Sequence, residues 1–276
     1  MKHSSDKFLQ GLYCHVPFCH RKCFYCSFVV SVGHENKIDP YLDCLEKEAA
    51  GYRGSKITSV YFGGGTPTFL ESAQLERLCS LVRREFECAG LPIEWTVEGN
   101  PEGLSAEKIQ ILKSHGVTRF SLGIQSFNDR HLKYLGRNHD AKTAVETFQR
   151  LRDEGIKNIS VDLMFGFPGQ TLDELKDDLE AMIQLESEHV SVYALTIEEK
   201  TRFHTRGIKL PEDAVQAEFY QVVMDELQRR GFAQYEISNF ARPGFESAHN
   251  INYWDGGNYI GLGVGAHSHA DGRRYW

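Results

Sequence analysis

The chain has 276 residues, 41% of them apolar and 25% charged, enough for one large domain or two ordinary ones around a sizeable core. Its formal net charge of −7 argues against a nucleic-acid partner, because phosphate binding needs a local surplus of Lys and Arg. No apolar run is long enough to span a membrane, and MKHSSDKFLQ at the N-terminus has neither a secretory core nor arginines, so a cytoplasmic location is expected.

The first strand-like run is LYCHV (12–16), followed at once by FCHRKCFYCSF (18–28). A helical pattern covers 39–52. The second strand-like run, ITSVYF (57–62), leads into GGGTP, Gly63 to Pro67. A helix expected over 72–88 carries the stripe Leu75, Leu78, Cys79, Val82 and Phe86 on one face. The strand IEWTVE (93–98) ends at Glu98, and a helix over 105–115 opens with Ser105 and closes at Gly116. RFSLGI (119–124) leads to Gln125, and a helix over 140–154 stops at Gly155. NISVDLMF (158–165) carries Asp162 ahead of GFPGQT, and Thr171 opens a helix over 171–186. HVSVYAL (189–195) is the sixth strand. Six strand–helix alternations predict a parallel sheet, wound or closed into a barrel.

The strand ends carry the chemistry. A glycine triplet, a carboxylate, an amide and a second carboxylate follow or end successive strands, and in a parallel barrel such positions gather at one mouth. Taken singly, Glu98 or Asp162 reads equally well as a helix cap, and Gly63 to Gly65 as a tight turn.

Seven cysteines, an odd number, speak against a disulfide framework and for metal or redox chemistry. Cys14, Cys44, Cys79 and Cys88 read as packing residues. Cys19, Cys23 and Cys26 stand apart, at spacings of four and three. Three thiolates on a 4Fe–4S cluster leave one iron open. Zinc is the alternative, with His20 completing a Cys3His set, but no second ligand pair accompanies it.

The C-x3-C-x2-C spacing at the end of a first strand resembles the radical S-adenosylmethionine (SAM) superfamily. That resemblance implies an open iron chelating the amino and carboxylate groups of SAM, which is cleaved to methionine and a 5′-deoxyadenosyl radical. It also implies that Tyr25 reaches the adenine and that the FGGGTP turn receives the methionine amino group. Backbone at a glycine turn approaches such a zwitterion closely, so the physics agrees.

A narrower resemblance covers roughly residues 10 to 270. LYCHVPFC, FGGGTPTFL, VEGNPE, SLGIQSF, LGRNH and SVDLMFGFPGQT are similar, in order, to the group around oxygen-independent coproporphyrinogen III oxidase. It implies a partial (β/α)6 TIM-like barrel over residues 1–200 and a short C-terminal extension over 201–276, truncated relative to the family. It further implies that Tyr13, Tyr25, Gly64, Gly65, Thr66, Glu98, Gln125, Arg137 and Asp162 line the SAM pocket, Arg137 pairing with a carboxylate.

Two departures divide that group. The oxidases continue the motif to a further cysteine where this chain has Phe28, which is expected to pack over the cluster. HNINYW, His249 to Trp254, resembles the HNxxYW signature of HemW-type heme chaperones. It implies heme bound by His249 with Tyr253 and Trp254 packed on the porphyrin, although these residues also read as fasteners of the segment to the barrel. His267 and His269 are weaker ligand candidates. GLGVGA (261–266) fits a dinucleotide fingerprint formally but lacks its strand–helix setting. The resemblance therefore favours a heme chaperone that hands heme to hemoproteins, respiratory ones among the acceptors, over a decarboxylating oxidase. Oligomeric state, a homodimer included, is left open.

Overall fold

The computed structural model describes residues 10–89 and 93–276, so the reading of the N-terminal nine residues lies outside it. The chain begins with β1 (Gln10–Val16), the cysteine loop, α1 (Ile38–Ala50), β2 (Ser55–Gly64), α2 (Ser72–Glu85) and a short β3 (Phe86–Cys88). Next come β4 (Glu94–Gly99), α3 (Ala106–Ser114), β5 (Arg119–Gln125), α4 (Asp129–Leu135) and α5 (Ala141–Asp153). The alternation closes with β6 (Ile159–Phe165), α6 (Leu172–Gln184) and β7 (His189–Ala194). The last part holds α7 (Arg202–Thr205), α8 (Asp213–Arg229), β8 (Ala233–Gln234), β9 (Asn239–Ala241), α9 (Ala248–Trp254), β10 (Tyr259–Leu262), β11 (Ser268–Ala270) and β12 (Arg273–Tyr275).

The six expected strands form the parallel run β1-β2-β4-β5-β6-β7 of one open sheet, as a partial barrel requires. Residues beyond 201 add strands at both edges. On one side β9 and β8 run antiparallel beside β7. On the other, β10 lies parallel to β1, with β11 and β12 folded back outside it. Their apolar side chains, such as Phe240 and Ile260, join the same core as Phe62, Trp95 and Phe120.

The local signals work as read. Ser105 accepts from the Lys108 N–H, Thr171 and Glu174 form a reciprocal capping box, and Gly116 and Gly155 take the left-handed conformation just past their helices. Two expectations fail. The helix expected to 88 stops at Glu85, because Phe86 turns extended and Phe86–Cys88 pairs with β2. Cys44 is exposed, since α1 buries the stripe Ile38, Leu42, Leu45 and Ala49 and Cys44 lies off it. Cys14 and Cys79 are buried as expected, and Cys88 is half-buried.

Glu94, at the start of β4, holds the HNINYW segment in place. Its carboxylate accepts from the Ser247 hydroxyl (3.0 Å) and from the N–H groups of Ala248 (2.9 Å) and His249 (3.0 Å), so a negative charge meets the first turn of α9. Glu94→Ala leaves these donors without their acceptor and should cost about 1–3 kcal/mol, read as a lower urea midpoint at unchanged slope. An unchanged midpoint would show that α9 is held by packing alone.

Candidate functional site

A cavity of about 340 Å³ opens at the C-terminal ends of the parallel strands. Cys19, Cys23, Cys26 and Phe28 stand at one side of it. Gly64, Gly65, Thr66, Glu98, Asn100, Gln125 and Arg137 form its walls, and Asp162, Ser191 and Tyr193 lie deeper. Most residues read from the strand ends thus share one space.

The glycine turn makes the first wall. Gly64 has φ +113°, and a Cβ there would lie 2.6 Å from the His15 ring. At Gly65 a Cβ would meet the backbone of Val16 to Phe18 at 2.8–2.9 Å, and the Gly65 N–H donates to the Val16 carbonyl (2.8 Å). Only glycine permits this approach. It brings Thr66 to the first cysteine: Thr66 Oγ1 lies 3.3 Å from Cys19 Sγ and accepts from Asn100 Nδ2 at 3.0 Å. Burial pushes the Cys19 thiol up to about 11 and raises that of Cys26.

Arg137 spans the opposite wall. It donates to Asn100 Oδ1 (2.7 Å), to the Gly123 carbonyl, and to Cys23 Sγ (3.5 Å), while its buried Nε has no partner. Burial opposes its charge, but Tyr25, Cys23 and Glu102 around it more than offset that and raise its pKa above the usual value. A spare, buried guanidinium N–H suits a carboxylate ligand. Gln125 sits at φ +75°, an unfavourable conformation for a side chain with a Cβ, and accepts from the Tyr193 hydroxyl (2.8 Å).

Glu98 and Asp162 are pocket carboxyls and neither caps a helix. Glu98 accepts from Tyr61 (2.7 Å) and from the Gly64 N–H (3.1 Å); Asp162 accepts from Ser121 (2.9 Å). Asp162 lies in the middle of β6, deeper than its place before GFPGQT implies. Burial raises Glu98 from 4.5 to about 7 and Asp162 from 3.8 to about 6.

The structure separates three residues from the expected roles. Tyr13 is absent from the lining of this cavity: its ring stacks on Tyr61 (6.1 Å) and its hydroxyl bonds His15, so it faces a second groove. Phe28 stands 64% exposed at the rim of the cavity that the three cysteines line, rather than buried over them. His249 is 1% exposed, with Nδ1 bonded to Ser59 Oγ and Nε2 to the Tyr253 hydroxyl, both at 2.9 Å, and its ring stacked on Tyr61. Burial drives its pKa down to about 3. With both nitrogens engaged and no access, His249 has no free lone pair for iron; it fastens α9 to the sheet. Trp254 is 59% exposed and stands apart from it.

Sequence reasoning missed Tyr61, Asn100, Ser121, Ser191, Tyr193, Asn239 and Asn250, all at the cavity. Asn100 was within reach, inside the quoted VEGNP. Ser121 opens the quoted SLGIQSF and Asn250 follows the histidine of HNINYW, while Tyr61, Ser191, Tyr193 and Asn239 belong to no motif with a chemical signature of its own.

Against known proteins, residues 13–182 match the radical SAM superfamily. The chain is 42% identical over 274 residues to the heme chaperone HemW of Bacillus subtilis, covering 96% of this chain and 72% of that protein. The heme chaperone HemW of Escherichia coli is 36% identical, over 93% of this chain and 69% of its own length. This chain belongs to the HemW family of the radical SAM superfamily. In structure it is similar to the coproporphyrinogen III oxidase of Escherichia coli, at a TM-score of 0.83 and 26% identity, over 95% of this chain and 66% of that one. As a radical SAM protein the chain takes a 4Fe–4S cluster and SAM. The residues present fit both: three thiols flank one side of the cavity, a glycine wall admits close backbone approach, and an unpartnered Arg137 Nε waits for an anion.

Glu98 titrates higher in the folded chain than when unfolded, so the folded state holds the extra proton between about pH 4.5 and 7. Its contribution to stability is present at the acid end of that window and lost as the pH rises through it. Without cofactor, Glu98→Gln should therefore gain stability relative to the parent as the pH rises from about 5 to 7.5, seen by thermal unfolding at each pH. A gap between the two that does not change with pH would contradict the raised titration.

Proposed function

We propose that this protein is a cytoplasmic radical SAM heme chaperone, which binds heme and passes it to hemoproteins, respiratory ones among them. The observation that carries this is the absence of a thiol at position 28. Phe28 stands where the oxidases continue the cysteine motif, and a phenyl ring neither ligates, donates a proton nor quenches a radical. The heme chaperones aligned over more than nine-tenths of this chain support the same choice over decarboxylation.

In this reading Cys19, Cys23 and Cys26 would hold a 4Fe–4S cluster at the side of the cavity that takes SAM, leaving one iron without a protein ligand. Bound together, cluster and SAM supply one-electron chemistry. The protein contributes position and charge. Thr66, itself held by Asn100, fixes Cys19. The Gly64–Gly65 turn, backed by Glu98, lets backbone meet the methionine end, and Arg137 directs its free N–H to the carboxylate. Tyr25 would border the adenine, while Gln125 and Asp162, held by Tyr193 and Ser121, would line the rest of the SAM pocket with polar groups.

Anaerobic reconstitution should load about four irons and four sulfides per chain. Cys19→Ala, Cys23→Ala or Cys26→Ala should abolish that loading, whereas Cys44→Ala should leave it intact. Iron retained after loss of any one of the three would remove it from the ligand set. The reduced, SAM-loaded protein should bind heme and form no vinyl product from coproporphyrinogen III. Multiple-turnover vinyl formation would reinstate the oxidase.

A further inference from the structure

A second hollow, about 620 Å³, lies on the other side of the Tyr13–Tyr61 pair, within the ~300–1,000 Å³ range of cofactor sites. It continues the barrel interior sideways, because Tyr13 pairs with Tyr61 across β1 and β2 while Tyr259 of β10 pairs with Gly11, two residues before Tyr13. Alternation along the strands therefore sets Tyr13, Tyr61 and Tyr259 on one face of the sheet. Tyr253 closes the hollow from α9, its ring edge-on to Tyr259 at 4.6 Å.

We infer that this groove receives the heme face and that His267 supplies its axial imidazole, an assignment that rests on the heme-chaperone reading. The motif histidine is excluded by its own hydrogen bonds, and His269 keeps Nδ1 on the Gly257 carbonyl (2.9 Å) outside the groove lining. His267 lines the groove, is exposed, and makes no side-chain hydrogen bond among the described residues. The backbone presents it deliberately: a Cβ at Gly261 would fall 2.0 Å from the His267 carbonyl oxygen, so only glycine lets the two segments come together. The Gly261 N–H donates to Ser268 Oγ (2.9 Å), fixing the residue after His267.

The rest of the wall matches a dicarboxylate macrocycle. Three tyrosine rings offer flat apolar contact, and Arg274 has no carboxylate partner among the described residues, leaving a guanidinium for a propionate. Heme held here stands one stacked aromatic pair away from the cavity that takes SAM, Tyr13 on its side and Tyr61 on the other.

The test is titration of the full chain with ferric heme, followed at the Soret band. The parent should bind. His267→Ala should shift the band and weaken binding about tenfold or more, and added imidazole should restore the parent position. His267→Gln should match His267→Ala, with circular dichroism identical to the parent for whichever variant is read. Arg274→Gln should weaken heme about threefold or more yet leave heme dimethyl ester, which lacks the carboxylates, unaffected. A parent Soret position and affinity in both His267 variants overturns the assignment alone, as does a loss confined to His269→Ala. No binding by the parent overturns the heme-chaperone reading and the assignment with it.

Discussion

The contact between the Gly64–Gly65 turn and the end of β1 is the constraint on which the site depends. The Gly65 N–H reaches the Val16 carbonyl so closely that no side chain fits between, and the chain beyond Val16 is the cysteine loop. The turn therefore does two things at once. It seats the loop on the barrel rim and exposes backbone to the cavity. The Thr66–Cys19 contact follows from that placement, as does the Gly64 N–H that Glu98 accepts.

Charge in the cavity is arranged around burial. Glu98 and Asp162 lie buried in the cavity wall, where water solvates a carboxylate poorly, so both hold protons at pH values at which exposed carboxyls have lost them. Arg137 faces them from the other wall, kept charged by its neighbours. The two buried carboxyls thus cost the fold stability at neutral pH, and a zwitterionic ligand bringing both signs of charge offsets that cost.

An aromatic partition divides this hollow from the groove behind it. Tyr13, Tyr61 and His249 form a continuous stack, and His249 bonds Ser59 on β2 and Tyr253 on its own helix. The HNINYW segment is thus structural at its histidine and available at its tyrosine and at Asn250, which reaches the cavity. Beyond the partition, β10 and β11 bring His267 to a surface that shares the sheet with the cofactor wall.

Much of this was written locally in the sequence. Cysteine spacing, the glycine triplet, capping residues and six alternating runs each depend on neighbours a few residues away, so the parallel sheet, the three grouped loop cysteines and most of the cavity wall are legible in the sequence. What lay outside that reach depends on pairing between distant segments. Cys44 turned outward because the face of α1 that packs is chosen by the sheet beneath it, and Phe86 left its helix because an edge of β2 was free. Tyr13 and His249 changed meaning when β10 docked beside β1 and Glu94 captured α9. A histidine in a motif shows its chemistry in sequence, but whether its nitrogens are free is settled by which residues fold against it.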